Sequence, residues 1–496
     1  MNLHRSAAGV ALARCLGLAS AVAFTVYAAR QFGTTRSTDI AFNAVAIPNA
    51  MLAVLALFLP PIFVSVFKSV ELERGREEAW GFARSAVRVS WVAGVAASAA
   101  GALLSPLLAR AIGAEFAPEE VRRMSGYLAC SFLLLLVVAV SSTVKGILSA
   151  NDSYVVPALD TFTTNATGIA VIALTSARWG PFSIVAATVA GGASKIVLML
   201  PGYLRRRPAG RTHFLHPALK EVPGLLGPIL LRCLLLAINV GVVRALASRI
   251  PVEGAVTHLN YAERIWAAPH DLFAVSLSVV LLPLLAKHAA AGEAEDLKRR
   301  MHSALRLVTF FGFPAAVGLT VLAEPIVRFL CERGQFDPRA TAETARALQG
   351  YAPALIFSGQ FVLHQAFYAW KQTRFIFISA AAMLITNVLV GIVLVGTLRQ
   401  FGLALAFTAS CAAGFAVSLA LFSARAGWAG ASGLLSGAVR SAICAAGMGV
   451  MLLELPRRVP LHVTVWIGLG AVTYAILARL LCPVEWAHAR KLWSRW

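Results

Sequence analysis

The chain is predicted to be an all-α polytopic membrane protein with about fourteen transmembrane helices, twelve of them in two similar halves. Three observations carry that expectation. Of the 496 residues, 58% are hydrophobic and only 14% charged, and the mean hydropathy is +0.74, outside the composition of a water-soluble domain. Apolar runs of about 20 residues, long enough to cross a bilayer as a helix, recur along the chain between short polar turns. Residues 104–118 (LSPLLARAIGAEFAP) are echoed about 220 positions later by residues 323–338 (AEPIVRFLCERGQFDP), a half-repeat typical of transporters. Pro106 pairs with Pro325, Phe116 and Pro118 with Phe336 and Pro338, Leu128 with Leu348, and the turn at Asn151 and Asp152 with Lys371 and Gln372.

The predicted spans fall, in order, at 7–30, 38–67, 84–110, 124–148, 154–177, 181–203, 221–249, 256–286, 303–331, 342–370, 375–396, 401–424, 433–454 and 461–482. The first could be mistaken for a secretory signal, but it runs through Arg14 to Ala29 without a cleavage-like flank and is expected to stay attached. The second contains Pro48, Pro60 and Pro61, and the eighth contains Pro269 and Pro283; both are too long for one straight crossing and are expected to bend. Residues 1–203 therefore form a first lobe of six helices, 204–220 a basic linker, and 221–425 a pseudo-symmetric second lobe of six. Residues 426–496 hold two further helices and a basic tail.

A net charge of +21 suggests a nucleic-acid partner until the basic residues are located. They concentrate in alternate loops: roughly 22 Lys and Arg lie in the set containing 68–84, 203–220, 287–306 and the C-terminal tail, against about 11 in the other set. That asymmetry reflects topology. It places both termini in the cytoplasm and excludes nucleic acid as the partner. The linker segment LRRRPAGRTHFLHPALK is expected to lie on anionic membrane phospholipids.

Seven scattered cysteines form no close pair in sequence, the ten histidines show no metal-ligand spacing, and no glycine-rich phosphate loop occurs. No metal, cofactor or nucleotide is expected. Loops of about 5–15 residues on the outer side are too small to build the active site of a membrane glycosyltransferase or ligase by themselves.

Function must then come from ionisable residues inside the spans, each costing at least about 2.5–3.5 kcal/mol at the bilayer centre unless paired or wetted. Arg14, Asp39, Asp160 and Lys195 are the candidates in the first lobe. In the second they are Arg232, Arg244, Glu263, Arg264, His270, Asp271 and His364. Asp39 can instead cap a helix end, and Lys195 and Arg244 can reach an interface. The sharpest local signal is Asn260-Tyr261-Ala262-Glu263-Arg264, followed by Trp266, Pro269, His270 and Asp271 on one bent helix. Glu263 and Arg264 point about 100° apart, whereas Arg264 and Asp271 share a face. An arginine suits a phosphorylated cargo because its planar fork matches phosphate oxygens and it keeps its charge in a dry site.

Those residues resemble the second-lobe signatures of the MurJ (MviN) lipid II flippase family, together with Leu281-Leu282-Pro283 and Glu332-Arg333-Gly334-Gln335-Phe336-Asp337 followed by Thr341 and Ala345. In the N-terminal part, Arg14-Cys15-Leu16-Gly17, Phe32-Gly33, Thr38-Asp39 and Ile47-Pro48-Asn49 follow the same order, and the resemblance extends from about residue 5 to 425. It implies a divergent member of the MOP exporter superfamily, with a MATE-like pair of six-helix lobes around a cationic cavity. Two extra helices would form a groove for a lipid tail.

The implied activity is translocation of lipid II, an undecaprenyl-pyrophosphate-linked peptidoglycan precursor, across the bacterial inner membrane. The implied protein is a monomer and is not an enzyme. Arg14, Arg264 and Asp39 carry over as substrate-binding residues. Glu263, Asp271, His270, Asp160 and Arg232 are the candidates for coupling to an ion or lining the cavity. The chain departs from the family pattern at Ser20, where a second arginine is usual, across Ala50 to Val54, where an arginine pair is usual, and at Ala267, where an acid is usual. Those departures keep open another lipid-linked oligosaccharide, such as an O-antigen or exopolysaccharide unit, as cargo. A drug/cation antiporter would favour acidic cavity residues, against Arg14 and Arg264.

Overall fold

The computed structural model describes residues 3–206, 215–427, 431–458 and 462–487, all as helices joined by short turns. The middle of the basic linker and the end of the basic tail lie outside the described residues. The chain divides into two compact units, residues 1–257 with 333–336, and residues 258–332 with 337–496.

The first unit contains α1 (Leu3–Phe32), α2 (Arg36–Arg74), α3 (Arg76–Ile112), α4 (Pro118–Ser131), α5 (Leu133–Ala150), a short α6 (Val155–Ala158), α7 (Asp160–Trp179), α8 (Phe182–Arg206) and α9 (Val222–Ser248). α2 is central, packing on α3, α4, α5, α8 and α9. Thr35 caps its start by accepting from Thr38 N at 3.3 Å. At one end of the bundle, Trp80 of α3 is fully buried between Phe67 of α2 and Tyr203 of α8, with ring centroids 5.9 and 5.8 Å away. The described end of the linker docks there too: His216 is buried, meets Glu78 Oε2 at 3.0 Å and caps a 3-10 turn through Ala218 N.

The second unit takes up α10 (Ala255–His270) from His258 onward, then a π-helical turn at Asp271–Val275, α11 (Ser276–Ala290), α12 (Ala294–Val321), α13 (Ala323–Cys331), α14 (Pro338–Tyr351), a 3-10 segment at Ala352–Phe357, α15 (Gly359–Ala369), α16 (Thr373–Ala426), α17 (Ala431–Arg458) and α18 (Val463–Leu481). Proline lacks the N–H that continues an α-helical ladder, so Pro269 sits where α10 gives way to the wider π turn.

Among the described residues, eleven helices are long and apolar enough to cross a membrane, rather than the fourteen expected. Three features account for the difference. The eleven include α16 as one run of 54 residues, about 81 Å if straight and far longer than a bilayer. Arg399 breaks it with φ 53° and ψ −134°, and the chain turns back so tightly that a Cβ on Gly402 would lie 2.5 Å from the Leu394 carbonyl oxygen. The predicted span at 342–370 is divided by the 3-10 segment, and α7, with Asp160 and five threonines, falls outside the set.

The repeat is written in the backbone. α4 and α14 both begin at a proline, Pro118 and Pro338, a position where the missing N–H costs nothing. Asp152 and Lys371 both hold φ 56° in the turns that follow α5 and α15. Gly180, between α7 and α8, holds φ 52° and ψ −139°, which Arg399 reproduces within α16.

Candidate functional site

In the first unit, α1 presents Arg14 on an exposed face, while its Gly17 side packs on Thr161 of α7. Ser20, at the position where the resemblance called for an arginine, is buried; its hydroxyl donates to Gly17 O at 2.8 Å and accepts from Asn165 Nδ2 at 3.2 Å. Arg232 of α9 lies over the Phe58 ring at 5.1 Å.

Asp39 sits in the first turn of α2 and is 1% exposed. Its Oδ1 accepts from both Thr257 N, at 2.8 Å, and Thr257 Oγ1, at 2.7 Å. A helix leaves its first N–H groups unpaired, and here a carboxylate from a distant helix supplies the acceptor for α10. Neighbouring contacts extend the join. Asn43 Nδ2 donates to Ser248 Oγ at 3.0 Å, Arg36 N donates to Glu253 Oε1 at 3.1 Å, and Gln335 N donates to Arg30 O at 3.0 Å. Gly254 holds φ 80° against the Thr34 carbonyl, where a side chain would clash. Asp39 therefore stands in a buried latch that ties the α1–α2 turn to the segment entering α10.

Asp160, at the start of α7, is half-buried and paired with Lys145 of α5, Nζ to Oδ2 at 2.6 Å. Lys195 of α8 borders the same small pocket. Lys145 was absent from the sequence-derived candidates, although a lysine inside the fourth apolar span is itself a signal.

The second unit orders the charged motif along α10. Tyr261 and Ala262 are buried, Glu263 is exposed and Arg264 is half-buried, its Nε donating to Asn260 Oδ1 at 3.1 Å one helical turn back. Trp266 stacks on His270 with ring centroids 4.9 Å apart, and His270 Nδ1 meets Ser358 Oγ at 3.0 Å. Asp271 opens the π turn and is exposed.

Pro269 and the π turn also border a cavity of about 640 Å³, the size of a small-molecule site. Pro269 and Phe273 line it from the bent helix, Phe311 from α12, Met448 from α17, and Ile467 and Tyr474 from α18. Phe273 and Phe311 stack in parallel at 4.8 Å. The Tyr474 hydroxyl is taken by Phe310 O at 2.7 Å, which leaves the lining apolar and suited to an aliphatic chain. The family resemblance implied a lipid-tail groove at the two C-terminal helices, which supply part of this lining; the other walls come from segments far apart in the chain and were not legible from spacing.

Two further groupings were not legible in sequence. Cys444 and Cys482 are buried thiols with Sγ atoms 3.9 Å apart, bringing together α17 and the residue that follows α18. Among the described residues, His288, Glu293 and Asp296 cluster like metal ligands, yet both His288 ring nitrogens are engaged, by Glu293 Oε2 at 2.5 Å and Arg300 Nε at 2.8 Å.

The family model for "Lipid II flippase MurJ" matches residues 28–469. The "Probable lipid II flippase MurJ" of Rhizobium meliloti (strain 1021) is 34% identical over 206 residues, covering 40% of the chain and 38% of that relative. A solved structure of lipid II flippase MurJ in an inward closed conformation superposes with a TM-score of 0.77 at 22% identity, over 96% of this chain and 98% of that one. An inward-facing MATE family multidrug resistance transporter of the MOP superfamily gives 0.70 at 14% identity, over 84% and 95%. The fold is thus the MurJ and MATE fold, and with most of its length matched by the family model, this multi-pass membrane protein belongs to the MurJ family of lipid II flippases.

Proposed function

We propose that the protein carries lipid II, the undecaprenyl-pyrophosphate-linked peptidoglycan precursor, from the inner to the outer leaflet of the bacterial inner membrane by alternating access. The observation that supports this most is the bent helix of the second unit. It carries Arg264 about one turn before a bend that borders a large apolar cavity, so one element offers a charged group for a pyrophosphate and an apolar space for a polyprenyl tail. Arg264 receives the anionic head group, replacing the water and counterions it leaves behind, and Arg14 is the candidate for the same role in the first unit. Asp39 acts indirectly, keeping α10 seated through Thr257.

Glu263 and Asp271, exposed on the bent helix, are the carboxylates through which an ion gradient or the membrane potential would act; one charge moved through 100 mV is worth about 2.3 kcal/mol. Both termini face the cytoplasm, the protein works as a monomer among membrane phospholipids, and the cargo leaves chemically unchanged. The test is rescue of cells depleted of their own essential lipid II flippase. Growth is expected with this gene; no rescue, with membrane expression confirmed, rejects lipid II as cargo. Ser20, held by Gly17 and Asn165, favours a second reading in which the cargo is another lipid-linked oligosaccharide, and recovery of surface polysaccharide in a strain lacking that exporter identifies it.

A further inference from the structure

The small pocket inside the first unit is bordered by Leu52 and Ala56 of α2, Ser141, Ser142 and Lys145 of α5, Asp160 of α7 and Lys195 of α8. Its volume is about 10 Å³, room for a single water-sized or monatomic species and too little for a phosphate or a sugar. Its titratable groups are two lysines and one aspartate; α2 contributes none. Asp160 is already paired with Lys145 at 2.6 Å and also accepts from Thr161 Oγ1 at 3.1 Å. Lys195 has no hydrogen bond or ion pair among the described residues. Ser142 is 2% exposed, and its hydroxyl has no hydrogen-bond partner among the described residues either. Beside the Asp160 carboxylate, one cation and one hydroxyl donor without hydrogen-bond partners among the described residues thus border the space, and the two lysines and one aspartate around it leave an excess of one positive charge, costly in such surroundings unless balanced.

The second half of the repeat shows that the fold itself does not require these charges. The residue step that carries Asp152 onto Lys371 and Gly180 onto Arg399 carries Lys145 onto His364, Asp160 onto Ser379 and Lys195 onto Gly414. There the polar atoms satisfy one another: Ser418 Oγ donates to Ser379 Oγ at 2.9 Å, Ser379 Oγ donates to Gly414 O at 3.2 Å, and His364 Nε2 lies 3.4 Å from both hydroxyls.

We propose that the first-unit pocket binds one small monovalent anion of the halide class, received by the Lys195 ammonium and the Ser142 hydroxyl, with the Lys145–Asp160 pair keeping the site from drawing in a second anion. The proposal does not depend on which lipid the protein carries, because it is read on purified protein.

The experiment measures thermal unfolding of the full chain in detergent while sodium gluconate is exchanged for sodium chloride or bromide at constant ionic strength. A saturable rise in Tm with halide is expected, absent in Lys195→Met, reduced in Ser142→Ala and kept in the surface control Lys68→Met. Identical melting in gluconate and halide, or a full halide response in Lys195→Met, overturns the proposal. Should Lys195→Met fail to fold, bromide-soaked wild-type crystals decide the matter. An anomalous peak within contact of Lys195 Nζ supports the site, and no peak there at saturating bromide refutes it.

Discussion

At the turn between α7 and α8, Gly180 holds φ 52° and ψ −139°; at the corresponding turn inside α16, Arg399 holds φ 53° and ψ −134°. Asp152 and Lys371 agree as closely, and α4 and α14 both start on proline. Side-chain chemistry diverges on that shared backbone. The first half places a lysine–aspartate pair and a second lysine around a pocket, whereas the second has His364, Ser379 and Gly414 at those positions, joined by hydrogen bonds that include Ser418. Below that level, the second unit has its own asset, the motif ending in Arg264 on a helix that passes through Pro269 into a π turn. Backbone symmetry serves the folding of two bundles, and charge asymmetry is where a transporter distinguishes its cargo and ions.

The largest effect is expected at the charge that the bent helix alone supplies. Arg264→Ala should abolish rescue of flippase-depleted cells, and Arg264→Lys should restore it only in part, because an ammonium lacks the planar fork; plating efficiency reads both. Wild-type growth in both variants would remove the phosphate-holding role from Arg264.

Asp39→Ala should lower stability by about 2–3 kcal/mol, since Thr257 N and Oγ1 lose a charged acceptor in a buried setting, while Asp39→Asn should cost about half as much. Unfolding in detergent measures the difference. An unchanged Tm in Asp39→Ala would mean that the latch contributes nothing.

Transplanting one half's chemistry into the other tests their equivalence directly. Asp160→Ser alone should destabilise by about 1–3 kcal/mol by stranding Lys145, less than a fully buried pair because both side chains are partly exposed. Adding Lys145→His, the second half's residue, should recover most of that loss. A double variant no better than the single one would show that the two positions are not interchangeable.

The smallest effect is on the matched turns. Arg399→Gly should gain about 1 kcal/mol by relieving a backbone conformation that only glycine adopts without strain, and Gly180→Ala should lose a similar amount. Equal melting temperatures for both variants and the wild type would argue that the turns relax.

Much of this asymmetry was visible before any coordinates. Pro118 and Pro338, and the polar turns at 151–152 and 371–372, are local instructions, and a local backbone conformation depends on residues adjacent in the chain. That Asp39, Asp160, Glu263 and Arg264 are ionisable residues within apolar spans, and so candidates, was equally plain, because the cost of charge in lipid applies wherever they sit. Their partners were not. Thr257 and Lys145 are ordinary residues in sequence, and the separation between Asp39 and Thr257 hides any relation. The number of spans was legible only approximately: the run 373–426 is interrupted at Arg399, as its polar residues suggest, but α7 is less apolar than a spanning helix and the span at 342–370 is divided by a 3-10 segment.

By itself, then, the sequence determined the solvent in which this chain lives, its division into repeated halves, the family to which its motifs point and the short set of charges available for work. Those are properties of composition and of neighbours along the chain. Tertiary structure alone decided that Asp39 caps a distant helix, that a lysine–aspartate pair and a second lysine border a water-sized pocket, and that aromatic residues from α12, α18 and the π turn line an apolar cavity. Each depends on side chains brought together from segments far apart, and hydrophobic periodicity specifies which face of a helix is buried without specifying which helix buries it.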